Sequence, residues 1–145
     1  MDELQQLLIK EACRELVLRC AACADANDAA GLAALFALEA TLVRPDGTAL
    51  QGRAAIAAAY QLRPAERITR HLVSNSIVDI ASPQAARVHS SVLLWSGTTA
   101  DAESPQGRPA HTRQIVGSFD DHCVLTPAGW RIAQRRASFV LHSGT

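Results

Sequence analysis

Excess charge of either sign is missing from this sequence. Its 145 residues carry 14 lysines and arginines against 14 aspartates and glutamates. A formal charge of zero removes the basic footprint on which nucleic-acid binding depends, so no nucleic acid is expected as a partner. Long apolar runs are missing too. No stretch approaches the roughly 20 apolar residues that cross a bilayer. The N-terminal MDELQQLLIKEACREL is amphipathic and acidic at its start, without the basic and unbroken apolar regions of a secretory signal. The expectation is a soluble, cytoplasmic protein with no membrane partner. No phosphate-cradling glycine loop, dinucleotide fingerprint or metal-ligand cluster is found. Any chemistry is therefore expected to be proton transfer by side chains, with no cofactor and no metal.

Cysteine occurs four times, but no second CxxC and no HxxxH completes a tetrahedral set. Cys13, Cys20 and Cys23 lie on one stretch of helical pattern, three and seven residues apart, which puts them on a shared face. Cys123 follows His122 where strand neighbours point oppositely. Reduced, metal-free burial against a sheet is the expectation for Cys20 and Cys23, since free cysteine behaves as a small hydrophobe.

What is present organises into one domain spanning 1–145, long enough to bury roughly two-thirds of its unfolded surface. From Asp2 to about Asn27, Leu4, Leu7, Leu8, Ala12, Leu16, Cys20, Cys23 and Ala24 recur at the spacing of a helix with one buried face. ANDAAGLAALFALEA restarts the pattern, with Asp28 as N-cap of a short second helix holding Leu32, Leu35 and Phe36. TLVRPDGTALQG reads as two short strands about a PDG turn. GRAAIAAAYQL is a third helix, stopped by Pro64. Four strands follow: 69–80, 86–95, 111–125 and 130–141, with 96–110 a long polar hairpin loop. Helices before a run of strands predict an α+β fold, three helices covering one face of a curved, mainly antiparallel mixed sheet. Such a cone opens on a small-molecule pocket.

CADANDAAGLAALFALEATLVRPDGTALQGRAAIAAAY resembles the opening of the SnoaL-like branch of the nuclear transport factor 2-like superfamily. TRHLVSNSIVDI and GSFDDHCVLTPAGWRIAQRRASFV resemble its later strands, including the Gly-Trp-Arg-Ile run and the arginine five residues after the tryptophan, Arg135. The likeness spans roughly 10 to 141. It implies the cone-shaped fold, and scytalone dehydratase and its relatives look closest within it. That branch places an aspartate at the end of the first helix and a histidine at the start of the first long strand, both toward the pocket; Asp25 and His71 match those positions.

The resemblance thus implies Asp25 and His71 as catalytic residues. The chemistry suits the pair, because neutral imidazole can take a proton alpha to a carbonyl while a carboxylate fixes its tautomer and stabilises the imidazolium. Alternation places Val73 and Asn75 on the face of His71. Phe36, Tyr60 and Phe119 are core aromatics that in a cone also form pocket wall. The relatives carry a second pocket histidine on the next strand; here the aligned position is Ser91 or Val92, with His89 slightly earlier. Phe36, Tyr60, Val73, Asn75, His89 and Phe119 are therefore the candidate substrate-binding residues. Arg135 and Arg136 alternate on the last strand, so one of them points inward or into an interface.

Two functions follow. One is a cofactor-free lyase or isomerase, similar to a dehydratase or polyketide cyclase, acting on a small, mostly apolar cyclic substrate. The other is a non-catalytic binding or accessory module, similar to a dioxygenase β subunit. A small hydrophobic or aromatic ligand is expected in either case. Long strands with little polar alternation, together with the resemblance, imply a homodimer through the outer sheet face.

Overall fold

The computed structural model describes residues 1–144. Helix α1 runs Glu3–Asp25. Its start is fixed by a capping box: the Asp2 carboxylate accepts from the Gln5 amide N–H, and the Gln5 side chain accepts from that of Asp2, which satisfies two amides the helix leaves unpaired. One stripe of α1, including Cys13, Leu16, Val17, Cys20 and Ala24, is buried against the sheet. Leu4, Leu7 and Leu8, placed on the same stripe by their spacing, are instead exposed in the first turns of the helix. Helix α2 (Ala29–Ala34) opens on Asp28, whose carboxylate accepts from the Gly31 amide at 2.9 Å.

Helix α2 is shorter than its periodicity suggests. Leu35 caps it and Phe36 begins strand β1 (Phe36–Val43), so Phe36 is not helical. Pairing overrides local propensity here: Phe36 lies opposite Ile132 in a parallel ladder, and the Ile132 amide donates to the Leu35 carbonyl. Strand β2 (Ala49–Gln51) returns against β1, and helix α3 (Arg53–Gln61) follows, ending at Leu62 before Pro64. Four long strands complete the chain: β3 (Arg67–Ser82), β4 (Ala85–Thr98), β5 (Ile115–Thr126) and β6 (Gly129–His142). The sheet order is β2-β1-β6-β5-β4-β3, antiparallel except for the β1–β6 pair. It is an open mixed sheet with the three helices on its inner face, the α+β cone expected.

One irregularity decides which side chains face inward. In β3 the pairing with β4 shifts between Ser74 and Ile77, and Asn75 sits at φ 53°. Before this bulge Thr69, His71 and Val73 point in; after it Ser76, Val78 and Ile80 do. An uninterrupted strand would turn Val78, now 5% exposed, toward solvent, because a one-residue slip exchanges the two faces. Asparagine tolerates the left-handed conformation better than most residues. Asn75→Val is accordingly expected to cost about 1–2 kcal/mol and Asn75→Gly almost nothing, read from the urea unfolding midpoint.

At the narrow end of the cone, Phe36, Ile56, Val88, Cys123 and Ile132 form a closed core with α1. Toward the other end the inner face carries Val92, Leu94, Ile115, Gly117 and Phe119, and the packing gives way to a cavity. Gly117 belongs there by necessity: a Cβ at this position would lie 2.6 Å from the Ser138 carbonyl oxygen.

Candidate active site

The cavity has a volume of about 820 Å³. Apolar side chains from α1, α3, β4, β5 and β6 supply most of its wall, and the polar groups along it include Cys20, Tyr60, His71, Arg135 and Ser138, with Arg44, Arg63 and Arg67. That mixture of apolar surface and few convergent polar groups is what a small-molecule site requires.

His71 reaches the wall from β3, and Asp25, the last residue of α1, stands behind it. Imidazole Nδ1 lies 2.6 Å from Asp25 Oδ1, and the His71 backbone N–H donates to Oδ2 at 2.9 Å. The hydroxyl of Thr69, a residue 1% exposed, also donates to Oδ1 at 2.9 Å. Thr69 Oγ1 in turn accepts from Arg63 Nη2 at 3.0 Å, while Arg63 Nη1 donates to the Ala24 carbonyl at 2.9 Å. A carboxylate at the C-terminus of a helix faces the negative end of its dipole. Arg63 offsets this by capping α1 from the connection between α3 and β3, and the three donors on Asp25 fix both of its oxygens.

Both side chains are largely withdrawn from water, 18% exposed for His71 and 15% for Asp25. Burial pushes the His71 imidazole below its ordinary value of 6.5, against the opposing hydrogen bond and charge of Asp25. Desolvation disfavours the charged ring more than Asp25 favours it. At neutral pH the ring is thus neutral, with the Nδ1 proton on the Asp25 side. Nε2, at the opposite edge, carries no hydrogen bond among the described residues, leaving a lone pair free to accept a proton.

A second buried pair forms another part of the cavity wall. Arg135 Nε and Nη2 donate to the two carboxylate oxygens of Asp121 at 2.6 and 3.0 Å, and Nη1 donates to Cys20 Sγ at 3.3 Å. The guanidinium also lies 4.1 Å from the centroid of the Phe119 ring. Burial opposes its charge, but Asp121 outweighs that and holds Arg135 above its ordinary value. The Cys20 thiol is pushed up by burial, so it is a neutral acceptor rather than a thiolate nucleophile. Burial likewise raises the Tyr60 phenol, leaving it an un-ionised donor.

Of the residues singled out from sequence, His71, Tyr60 and Phe119 border the cavity, and Asp25 contacts it through His71. Phe36 is 0% exposed within the closed core, and Val73 packs against that core. Asn75 is exposed because it occupies the bulge, which breaks the alternation linking it to His71. His89 faces outward on β4, near Asp120 of β5. Of the adjacent arginines Arg135 and Arg136 on β6, Arg135 points in and Arg136 out. Cys13, Cys20 and Cys123 are buried and Cys23 is half-buried. Thr69, Arg63, Cys20 and the Asp121 partner of Arg135 are additions of the structure. The Thr69 contribution was within reach of sequence reasoning, since it stands two residues before His71 on the same strand face.

An open mixed sheet capped by three helices, with His71 in the cavity wall and Asp25 bonded behind it, defines a conical α+β protein of the nuclear transport factor 2-like kind. The profile of the SnoaL-like domain matches residues 5–136, and the chain belongs to that family. Similar folds include a provisionally named scytalone dehydratase from Novosphingobium aromaticivorans DSM 12444, at 22% identity and TM-score 0.82, over 97% of this chain and 90% of that one. Another is the hexachlorocyclohexane dehydrochlorinase LinA-type3 from Novosphingobium barchaimii LL02, at 12% identity and TM-score 0.81, over 98% and 93% of the two chains. A provisionally named dehydratase of the NTF2-like family from Streptomyces avermitilis aligns at 19% identity and TM-score 0.78, over 90% and 95%. No curated protein matches the sequence. No helix among the described residues is long and apolar enough to cross a membrane.

Proposed function

We propose that this protein is a cofactor-free lyase or isomerase that moves a proton on a small, mostly apolar cyclic substrate held in the conical cavity. The observation carrying this reading is the 2.6 Å Nδ1–Oδ1 contact of a neutral His71 whose Nε2 is unpartnered. Nε2 takes a proton from carbon beside an electron-withdrawing group; the C–H pair becomes the new double bond, and Asp25 stabilises the imidazolium. The ring then returns its proton to a departing hydroxyl, released as water, or to another carbon of the substrate. The neutral Tyr60 phenol can donate to a substrate oxygen. The dehydratases and dehydrochlorinase named among the similar folds support an elimination of this type.

Deuterium wash-in tests the reading without requiring the natural substrate. Cyclic ketones incubated with the protein in D2O are expected to exchange their α-protons, followed by NMR, and His71→Gln is expected to remove the exchange. The second reading, a binding or accessory module, is favoured by the single histidine lining the cavity among the described residues. An unaltered small molecule that co-purifies, seen by native mass spectrometry, with no exchange in any ketone, would establish that reading instead.

We further propose a homodimer through the outer face of the sheet. Leu72, Leu93, Val116 and Leu141 are paired in register across β3, β4, β5 and β6. Three of them are exposed, as is Trp95 two residues along β4. An apolar row crossing four of the six strands of a sheet can cover itself with a second copy across a twofold axis. Sedimentation is expected to give a dimer at micromolar concentration, with Leu93→Glu giving monomer; a wild-type monomer would contradict the interface.

A further inference from the structure

Four arginines, Arg44, Arg63, Arg67 and Arg135, border the cavity, and among the described residues no aspartate or glutamate does. In a chain with equal numbers of acidic and basic groups, this is a local concentration of positive charge. The protein answers two of the four charges itself. Arg135 is locked bidentately to Asp121, and Arg63 is held against Thr69 beside Asp25. Arg44 and Arg67 are different: among the described residues, neither guanidinium makes a side-chain hydrogen bond or ion pair. The acid that feels Arg44 is Asp46, which is fully exposed on the neighbouring turn. Arg67 is itself exposed, and Arg44 is half-buried. They share the cavity lining with Leu62 and Phe139, 84% and 57% exposed, so these two arginines belong to the mouth while Arg135 belongs to the depth.

We infer that the substrate carries a carboxylate, held at the mouth by Arg44 and Arg67, while its ring lies against Phe119 and Tyr60 with the reacting carbon at His71. The inference rests on the proton-transfer reading for the role of His71 alone. A planar guanidinium offers a carboxylate paired N–H donors. The apolar wall beside it lowers the local dielectric and strengthens the attraction relative to open water. With no net charge on the protein to steer ligands from a distance, the preference is local, and because Arg67 is exposed and Arg44 only half-buried it is open to screening by salt. Tyr60 and Phe119 supply flat apolar surface for a ring, which a bare phosphate or other compact anion would leave unfilled.

Calorimetric titration with 2-naphthoate and 2-naphthamide, identical in ring but not in charge, tests this directly. Naphthoate is expected to bind about tenfold more tightly at low salt, the range of one charge-assisted contact. The advantage is expected to shrink below about threefold in Arg44→Gln/Arg67→Gln and in roughly 0.5 M salt. Among the described residues neither side chain makes a hydrogen bond or ion pair, so the double variant should keep the wild-type melting temperature. Equal affinities, a preference that survives the double substitution, or no naphthoate binding at millimolar concentration would overturn the assignment. His71→Gln separates this from the catalytic reading, because it is expected to lose deuterium exchange and keep the naphthoate preference. Preference without exchange in the wild type leaves the carboxylate site standing and removes the proton transfer; exchange without preference does the reverse.

Discussion

Asp121→Ala is expected to destabilise the protein by about 3–5 kcal/mol, because it strands the Arg135 guanidinium in the interior without its counter-charge. Asp121 is 0% exposed and Arg135 5% exposed. Cys20 and the Phe119 ring, the other groups that Arg135 meets, offer it no negative charge. Against a total stability of roughly 5–15 kcal/mol for a domain of this kind, the loss is a large fraction, and the urea midpoint should fall accordingly. Exchanging both partners for apolar residues, Asp121→Leu with Arg135→Met, is expected to restore most of it, since the cost lies in the uncompensated charge rather than in the missing bond. A single substitution as mild as an ordinary surface change, about 0.5 kcal/mol, would mean that water reaches this pair.

How this pair arises shows where sequence reasoning ends. The inward position of either Arg135 or Arg136 follows from alternation alone. Its partner does not, because Asp121 stands opposite Arg135 only in the β5–β6 register, which shifts between His122 and Cys123. The bulge at Asn75 is likewise a product of pairing: nothing in SNSIVDI requires the strand to change face there, yet the change is what buries Val78 and exposes Asn75. Phe36 joined a helix by pattern and a strand by its parallel neighbour. The elements governed by local rules were legible: the α1 stripe from Leu16 onward, though not its expected start at Leu4, Leu7 and Leu8, which are exposed, the Asp28 cap, the third helix ended before Pro64, and the four long strands to within a few residues. For Asp25 and His71, periodicity was silent. Only the likeness to a family put them side by side, and their 2.6 Å contact bridges 46 positions that no local rule connects.

The second large effect concerns that pair. His71→Gln is expected to lower turnover by about 10²- to 10⁴-fold, the range a positioned proton-transfer group contributes, with little change in ligand affinity. The rate of the wild type is expected to fall on acidification with an inflection below 6.5. Its sign follows from the state of the ring: in the proposed reaction neutral imidazole is the base, burial lowers its ordinary value of 6.5, and protonation below that lowered value would silence it. Asp25→Asn removes the charge that favours the imidazolium, so the inflection should move lower still while the maximal rate also drops.

The central claim, a neutral His71 oriented by Asp25 at the cavity wall, is tested most directly by NMR titration of the His71 ring in the native protein and in Asp25→Asn. The expected result is a native pKa below 6.5 and a further decrease in the variant, with the Nδ1-protonated tautomer dominant in the native protein above it. A His71 that titrates at 6.5 in both proteins would contradict the account, because it would mean a ring open to water and indifferent to Asp25.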